Sequence, residues 1–470
     1  MQKEGKNVPG IIIAGLRGGS GKTVISLGIT AAWKEKGFKV SPFKKGPDYI
    51  DAGWLSKAAG RPCYNLDTFL CSPATVKQSY IEHSSNCDIC LVEGNRGLYD
   101  GIDTDGSTST AELAKLLDLP VLIVLDCTKS TRTMAALLLG CMTFDPEIRI
   151  LGVILNRVAG KRHEQKVRVN IEKYCQIPVF GAVPKLDAED FPERHMGLIP
   201  SEEHAFSEKA VQAAGRVAKT HIDLDGLYDI LIHRESSGTN RIEIQEAGKT
   251  QDTGPGKVTI GIVRDSAFQF YYPDNIEALK KLGAAVVFIS PLRETWIPDV
   301  DAIYMGGGFP ETHAPELSGN IGFRNDLKRL SQQGLPIYAE CGGLIFLGES
   351  ITLGDQVFPM SGIFPIRFGL CKQPQGHGYT QVQVVHENPF FSVGEILRGH
   401  EFRYSSVLSI EYKDQEMAFQ MERGKGIINR KDGYFKQNTL GTYTHIHALG
   451  TPAWAASLIE KAMAHKNSKS

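Results

Sequence analysis

The chain lacks any apolar run of about 18 residues, the length a membrane-spanning helix needs, and its first residues carry no signal-like apolar stretch. A soluble, cytoplasmic protein is the expectation. It also lacks net charge: 52 Lys and Arg against 53 Asp and Glu leave −1. A near-neutral chain offers no field to a polyanion, so neither nucleic acid nor a membrane is expected as a partner, and any anionic ligand must be held locally. A cysteine framework is missing too, since nine cysteines, an odd number, are scattered without pattern. That points to reduced thiols. The one close pair, Cys87 and Cys90, reads as the start of a strand, where residues three apart face opposite ways and share no metal. No internal repeat or low-complexity tract is visible.

What is present begins with length. At 470 residues the chain exceeds one ordinary core and suits two domains of roughly 200 residues or a little more. From Gly10 to about Pro184, short β-rich runs such as Ile11–Ala14, Cys90–Glu93, Val121–Leu125 and Leu151–Leu155 alternate with helix-length segments. That rhythm predicts βαβ units and an α/β fold with a mainly parallel sheet covered on both faces. Helices are expected to about Ile232. Residues 235–256 are polar and turn-rich and read as a linker between a first domain, 1–234, and a second, 257–470. The second shows its own α/β pattern, and His465–Ser470 reads as a solvated tail.

Two stretches carry chemistry. Gly15-Leu-Arg-Gly-Gly19-Ser-Gly21-Lys22-Thr23 follows the first strand and opens the first helix, the context that makes a glycine-rich phosphate loop credible. Gly15, Gly19 and Gly21 would let backbone N–H groups face phosphate oxygens, Lys22 would reach the β and γ phosphates, and the Thr23 hydroxyl would sit on Mg²⁺. Leu16 stands where the first glycine of G-x4-G-K-T belongs. Carboxylates for a metal stand at strand ends: Asp48 and Asp51 beside Lys45, and Glu93 at the end of a run that should be buried. Asn156 closes another strand and is a candidate for the adenine edge; Asp126 is similarly placed.

The other stretch is Leu335-Pro-Ile-Tyr-Ala-Glu-Cys341-Gly-Gly-Leu-Ile-Phe, a buried strand turning at once into a helix. This is the pattern of a nucleophile elbow, where a thiol projects from the sheet edge beside backbone N–H groups and the positive end of a helix, which favour the thiolate and an oxyanion. A cysteine nucleophile wants a histidine in hydrogen-bond reach. The run Gly441-Thr-Tyr-Thr-His445-Ile-His447 is best placed, and spacing alone does not choose between His445 and His447, which share a face in an extended segment. Gly306-Gly307-Gly308 ends another strand, and Gly307 and Gly308 would bring N–H groups to a tetrahedral intermediate.

These residues resemble the cobyrinic acid a,c-diamide synthase family over essentially the whole chain. The resemblance rests on Gly46-Pro-Asp-Tyr-Ile-Asp51, Gly60-Arg-Pro62 with Asn65-Leu-Asp67, Glu93-Gly with Gly97-Leu-Tyr-Asp100-Gly, Gly306-Gly-Gly-Phe-Pro-Glu311, Ala339-Glu-Cys341-Gly-Gly-Leu344 and Gly399-His-Glu-Phe402. The phosphate-loop variant also occurs in the dethiobiotin-synthetase-like branch. The resemblance implies a dethiobiotin-synthetase-like ATP domain followed by a class I glutamine amidotransferase-like α/β domain. It further implies ligase chemistry: Cys341, with His445 as acid/base partner in a dyad, frees ammonia from glutamine, and ATP activates the a and c acetates of a corrin-type tetrapyrrole as acyl phosphates. Thr23, Asp48, Asp51 and Glu93 would handle Mg²⁺ and phosphate; Lys45, Tyr49 and Asp100 would lie near substrate. The expected partner is the small-molecule tetrapyrrole, with a homodimer left open. In Gly399-His-Glu-Phe-Arg403 the fifth position is arginine where the family usually has histidine, an added charge that could serve a differently decorated acceptor. Sirohaem or (nickel) sirohydrochlorin as acceptor, a cobyric acid synthase-type amidase, and a ParA-like ATPase switch are the rival readings.

Overall fold

A computed structural model describes residues 8–186, 207–235 and 258–469. Nearly all of the linker read at 235–256 lies outside these residues. The described residues form two compact units, one up to residue 68 and from 72 to 235, the other of 69–71 and from 258 onward.

The first unit holds a seven-stranded sheet. Its strands are β1 (Gly10–Gly15), β2 (Val40–Lys45), β3 (Tyr64–Leu66), β4 (Ile89–Glu93), β5 (Val121–Asp126), β6 (Ile150–Val158) and β7 (Val179–Pro184), in the order β3-β2-β4-β1-β5-β6-β7. Every pairing is parallel. Parallel strands need crossover helices, which cover both faces, and β1 and β4 are accordingly buried along their whole length. Helix α1 (Lys22–Glu35) packs its buried Trp33 and Ile29 into that core and lies close against the helix Ser207–His221. Gly28 permits the approach, because a Cβ there would stand 2.5 Å from the Ala214 carbonyl oxygen. The carboxyl ends of β1, β2 and β4 meet at one edge, where ligands bind in open parallel sheets.

The second unit is built on a ten-stranded mixed sheet. Its parallel part is β8 (Val258–Val263), β9 (Ala284–Ile289), β10 (Ala302–Met305) and β11 (Ile337–Glu340), extended by Thr439–Thr442 beside β11. Antiparallel strands then carry the sheet on to Ile396–Arg403 and His445–Ile446 at its far edge. A separate four-stranded sheet includes Ser350–Leu353 and Ser405–Ile410. Tyr304, Tyr338 and Trp454 fill one face of the large sheet, and Phe323, Phe346 and Phe364 the other.

Three local expectations are corrected. The C-terminal segment read as a solvated tail continues the helix Pro452–Lys469, and His465 is buried in it. Cys87 and Cys90 do not point apart: Cys87 lies in the turn before β4, so strand alternation does not govern it, and the two sulfurs stand 3.4 Å from each other. Arg403 is engaged within its own unit rather than standing exposed. It is buried, donates to the carbonyls of Ser405 and Gly426, and sits 3.9 Å above the Tyr443 ring.

Candidate functional sites

In the first unit the loop after β1 wraps the start of α1. Gly19 and Gly21 have φ of 73° and 90°, the left-handed region that glycine tolerates, and a Cβ on Gly21 would meet the Asn156 amide nitrogen at 2.1 Å. Asn156 is therefore placed as a brace under the loop: its Nδ2 donates to the Ser20 carbonyl at 2.9 Å and its Oδ1 accepts from Arg157 N–H. The side chain from that strand end that lines the cavity is Arg157, which also bonds the Gly19 carbonyl. Gly15 closes β1 tightly, with room for a Cβ denied by Ser20 Oγ at 2.2 Å. Asp126 sits beside the loop, bonded to Thr128, Arg17 and Arg157, and is lowered to about 2: those donors outweigh burial, which acts the other way.

A cavity of about 530 Å³ opens in front of this loop, lined among others by Gly19, Lys22, Thr23, Lys44, Asp51 and Glu93. Lys22 folds back over the loop, its Nζ 2.7 Å from the Arg96 carbonyl and 3.2 Å from that of Arg17, and burial followed by the nearby Lys44 lowers its pKa. Thr23 Oγ1 donates to Glu93 Oε1 at 2.9 Å. Lys44, adjacent to the expected Lys45, is the ammonium at the centre, 2.7 Å from Asp51 and 2.8 Å from Glu93. Burial opposes its charge, but Asp51 and Glu93 hold it protonated.

The four residues expected to share a metal play unequal parts. Glu93 is fully buried, and its Oε2 has no hydrogen-bond partner among the described residues. Desolvation pushes its carboxyl up to about 7 despite Lys44. An unpartnered buried carboxylate oxygen beside a hydroxyl is a donor pair suited to a hard cation, and Asp51 stands across Lys44 from it. Asp48 is used differently, as the N-cap of helix α2 (Tyr49–Ala59), its Oδ1 accepting from Asp51 N–H at 2.9 Å. Burial and the Asp51 charge raise it to about 6. Among the described residues no group of three or more acidic, His or Cys side chains is arranged as a metal cage. Tyr49 begins α2, while Lys45 is buried with Asp67, Arg96 and Asp100 among the charges that act on it. Exposed Asp100 accepts from Gly97 N–H at 2.9 Å.

In the second unit Cys341 directly follows β11 at φ 46° and ψ −95°, a conformation outside the regions open to ordinary residues. Its N–H donates to the Thr442 carbonyl at 2.8 Å, tying the turn to the neighbouring strand, and the helix Gly342–Leu347 starts at once. The structure separates the two histidines. His445 hydrogen-bonds Cys341, whereas His447 pairs with Asp274 at 3.4 Å. Gly307 makes the first contact possible, since a Cβ there would lie 2.5 Å from His445 Cε1. Gly308 joins the same surface: a Cβ on Gly342 would stand 3.0 Å from Gly308 N. The expected loop and the elbow thus meet.

Two domain families match the chain in the order of the units: residues 11–199 match the CobQ/CobB/MinD/ParA nucleotide binding domain and 259–453 the CobB/CobQ-like glutamine amidotransferase domain. Relatives named cobyrinate a,c-diamide synthase match nearly end to end. That of Magnetococcus marinus is 40% identical over 451 residues, 96% of each chain. That of Archaeoglobus fulgidus is 37% identical over 98% of this chain and 99% of its own, and that of Methanosarcina barkeri 36% over 99% and 98%. The chain belongs to the cobyrinate a,c-diamide synthase family.

In this member of the cobyrinate a,c-diamide synthase family a carboxylate stands beside the Cys341–His445 pair. Glu340, the residue before the nucleophile, is fully buried and accepts from three groups: His445 Nδ1 at 3.3 Å, Ile446 N–H at 3.2 Å and the Tyr304 hydroxyl at 3.2 Å. Sequence reasoning passed over it. The signal was available, because a carboxylate closing an otherwise apolar strand needs partners as much as Glu93 does. Burial lowers the His445 pKa, but Cys341 and Glu340 together overcome it and raise it to about 10.

Proposed function

We propose that the chain is an ATP-dependent ligase that amidates the a and c acetate carboxylates of cobyrinate with ammonia released from glutamine. The observation that carries this reading is the pairing of Cys341 at its strained elbow with His445, in a chain that also holds a phosphate loop and a carboxylate cluster. The acceptor is taken from the relatives' name.

In the second unit Cys341 Sγ attacks the glutamine side-chain carbonyl, and His445 passes a proton to the departing amine. The amide N–H groups of Gly307 and Gly308 would face the developing oxyanion, and water then releases glutamate from the thioester. In the first unit the loop N–H groups and Lys22 hold the ATP phosphates while the acceptor carboxylate takes the γ-phosphoryl group. Ammonia displaces phosphate from the acyl phosphate. Thr23, Glu93 and Asp51 would hold Mg²⁺, with Asp48 fixing the turn behind them. When bound, Mg²⁺ supplies positive charge to the phosphates. Lys45, Tyr49 and Asp100 are the proposed acceptor contacts, and the cytoplasm the proposed location; among the described residues no helix is long and apolar enough to cross a membrane.

Mass spectrometry of cobyrinate, sirohaem and sirohydrochlorin after incubation with the protein, ATP, Mg²⁺ and glutamine tests the reading. Conversion of two carboxylates to amides on cobyrinate is the expected result. Amidation of another tetrapyrrole alone would move the acceptor, and glutamine hydrolysis with no amidation of any would remove the ligase assignment.

A further inference from the structure

His447, two residues beyond His445, is turned to Asp274. The carboxylate that meets the His445 ring comes from the strand leading into the nucleophile. We propose that Glu340 is the positioning residue of the glutaminase site, supplied from the residue preceding Cys341. The proposal rests on the amidotransferase reading of that site.

The geometry gives Glu340 two tasks. Oε2 faces His445 Nδ1 and Oε1 takes the N–H of Ile446, so one side chain fixes both the ring and the backbone that bears it. With a carboxylate at Nδ1, that nitrogen carries the proton and the opposite edge of the ring faces the thiol. The carboxylate is itself held. Tyr304 donates to Oε2, Asn275 donates to the Tyr304 hydroxyl at 3.1 Å and to the Ile446 carbonyl at 3.1 Å, and Ala448 N–H returns to Asn275 Oδ1 at 2.7 Å. β11 and β10 thus present a carboxylate that cannot rotate away. The groups facing the imidazole are Cys341 and Glu340 from the elbow strand and the His400 ring, stacked at 4.9 Å from the adjacent strand.

Glu340→Gln separates positioning from packing. The side chain keeps its shape, but an amide cannot accept at both oxygens: facing its oxygen to Ile446 N–H turns an N–H toward Nδ1 and forces the opposite tautomer. In the full chain, the glutamine-dependent kcat is expected to fall roughly a hundredfold or more, with KM for glutamine nearly unchanged and ammonia-dependent amidation intact. Alkylation of Cys341 by iodoacetamide should shift its pH profile in the variant, as the imidazolium loses one of the two groups that keep it charged. Glu340→Asp retains the charge and moves it. Its kcat should fall about tenfold at constant KM, which decides the matter should the glutamine variant fail to fold. Wild-type kcat in either folded variant, or a loss confined to KM, overturns the role of Glu340 alone. A wild-type chain that hydrolyses no glutamine overturns the amidotransferase reading, and this inference with it.

Discussion

Glu93 and Glu340 occupy equivalent places in two different sheets. Each closes a parallel strand, each is fully buried, and each precedes a turn that bears chemistry. Their oxygens differ. Both oxygens of Glu340 are taken by donors from its own unit, whereas Oε2 of Glu93 has no partner among the described residues and its carboxyl is driven up to about 7 by desolvation. The saturated carboxylate is fixed by its neighbours. The unsaturated one keeps an oxygen without a partner, and such burial costs several kcal/mol.

The sharpest way to test that division is to silence one unit and read the other. Cys341→Ser should lower glutamine-dependent amidation by about a thousandfold or more while ammonia still serves, measured by amide formation with each nitrogen source. Loss of both would mean that the thiol also serves the ATP chemistry. Glu93→Gln should instead cut amidation from glutamine and from ammonia alike, by roughly a hundredfold, with less Mg²⁺ stimulation and intact glutaminase. If Glu93→Gln spared the ammonia-driven reaction, the contrast between the two carboxylates would collapse.

A third test reads stability. The His445 pKa is raised from 6.5 to about 10, so its charged pairing stabilises the folded unit fully below pH 6.5 and is lost as pH rises through about 10. Chemical denaturation should show the wild type losing about 1–3 kcal/mol more than His445→Gln across that window. Equal losses in the two proteins would remove the ion pair from the description. The smallest effect is expected at Arg403. Arg403→His should cost about 1–2 kcal/mol by removing donors to buried carbonyls, with no change in acceptor preference. An altered preference would return Arg403 to the substrate.

Much of both sites was legible because their signals are local. Glycines before Lys22-Thr23, and a strand breaking on Cys341-Gly-Gly, each state their geometry within ten residues. What stayed hidden was set by pairing at a distance. Glu340 meets its histidine 105 positions away, and nothing in an apolar strand says which partner waits. Lys44 rather than Lys45 reaches the centre because successive residues face opposite sides of the sheet and Lys44 stands in register with Glu93, and the start of that alternation was not fixed by sequence. Asn156 looked like a ligand contact because it closes a strand, but the loop it braces folds back from residues 15–23. The C-terminal residues read as a polar, solvated tail, yet they continue a helix and His465 is buried, while 466–469 are exposed.

The backbone of Cys341 has a consequence of its own. At φ 46° and ψ −95° a residue with a side chain carries of order 1–3 kcal/mol of conformational penalty, which glycine would largely relieve. Glycine at 341 would recover that penalty only by giving up the thiol, so stability and the side chain oppose each other at this one position.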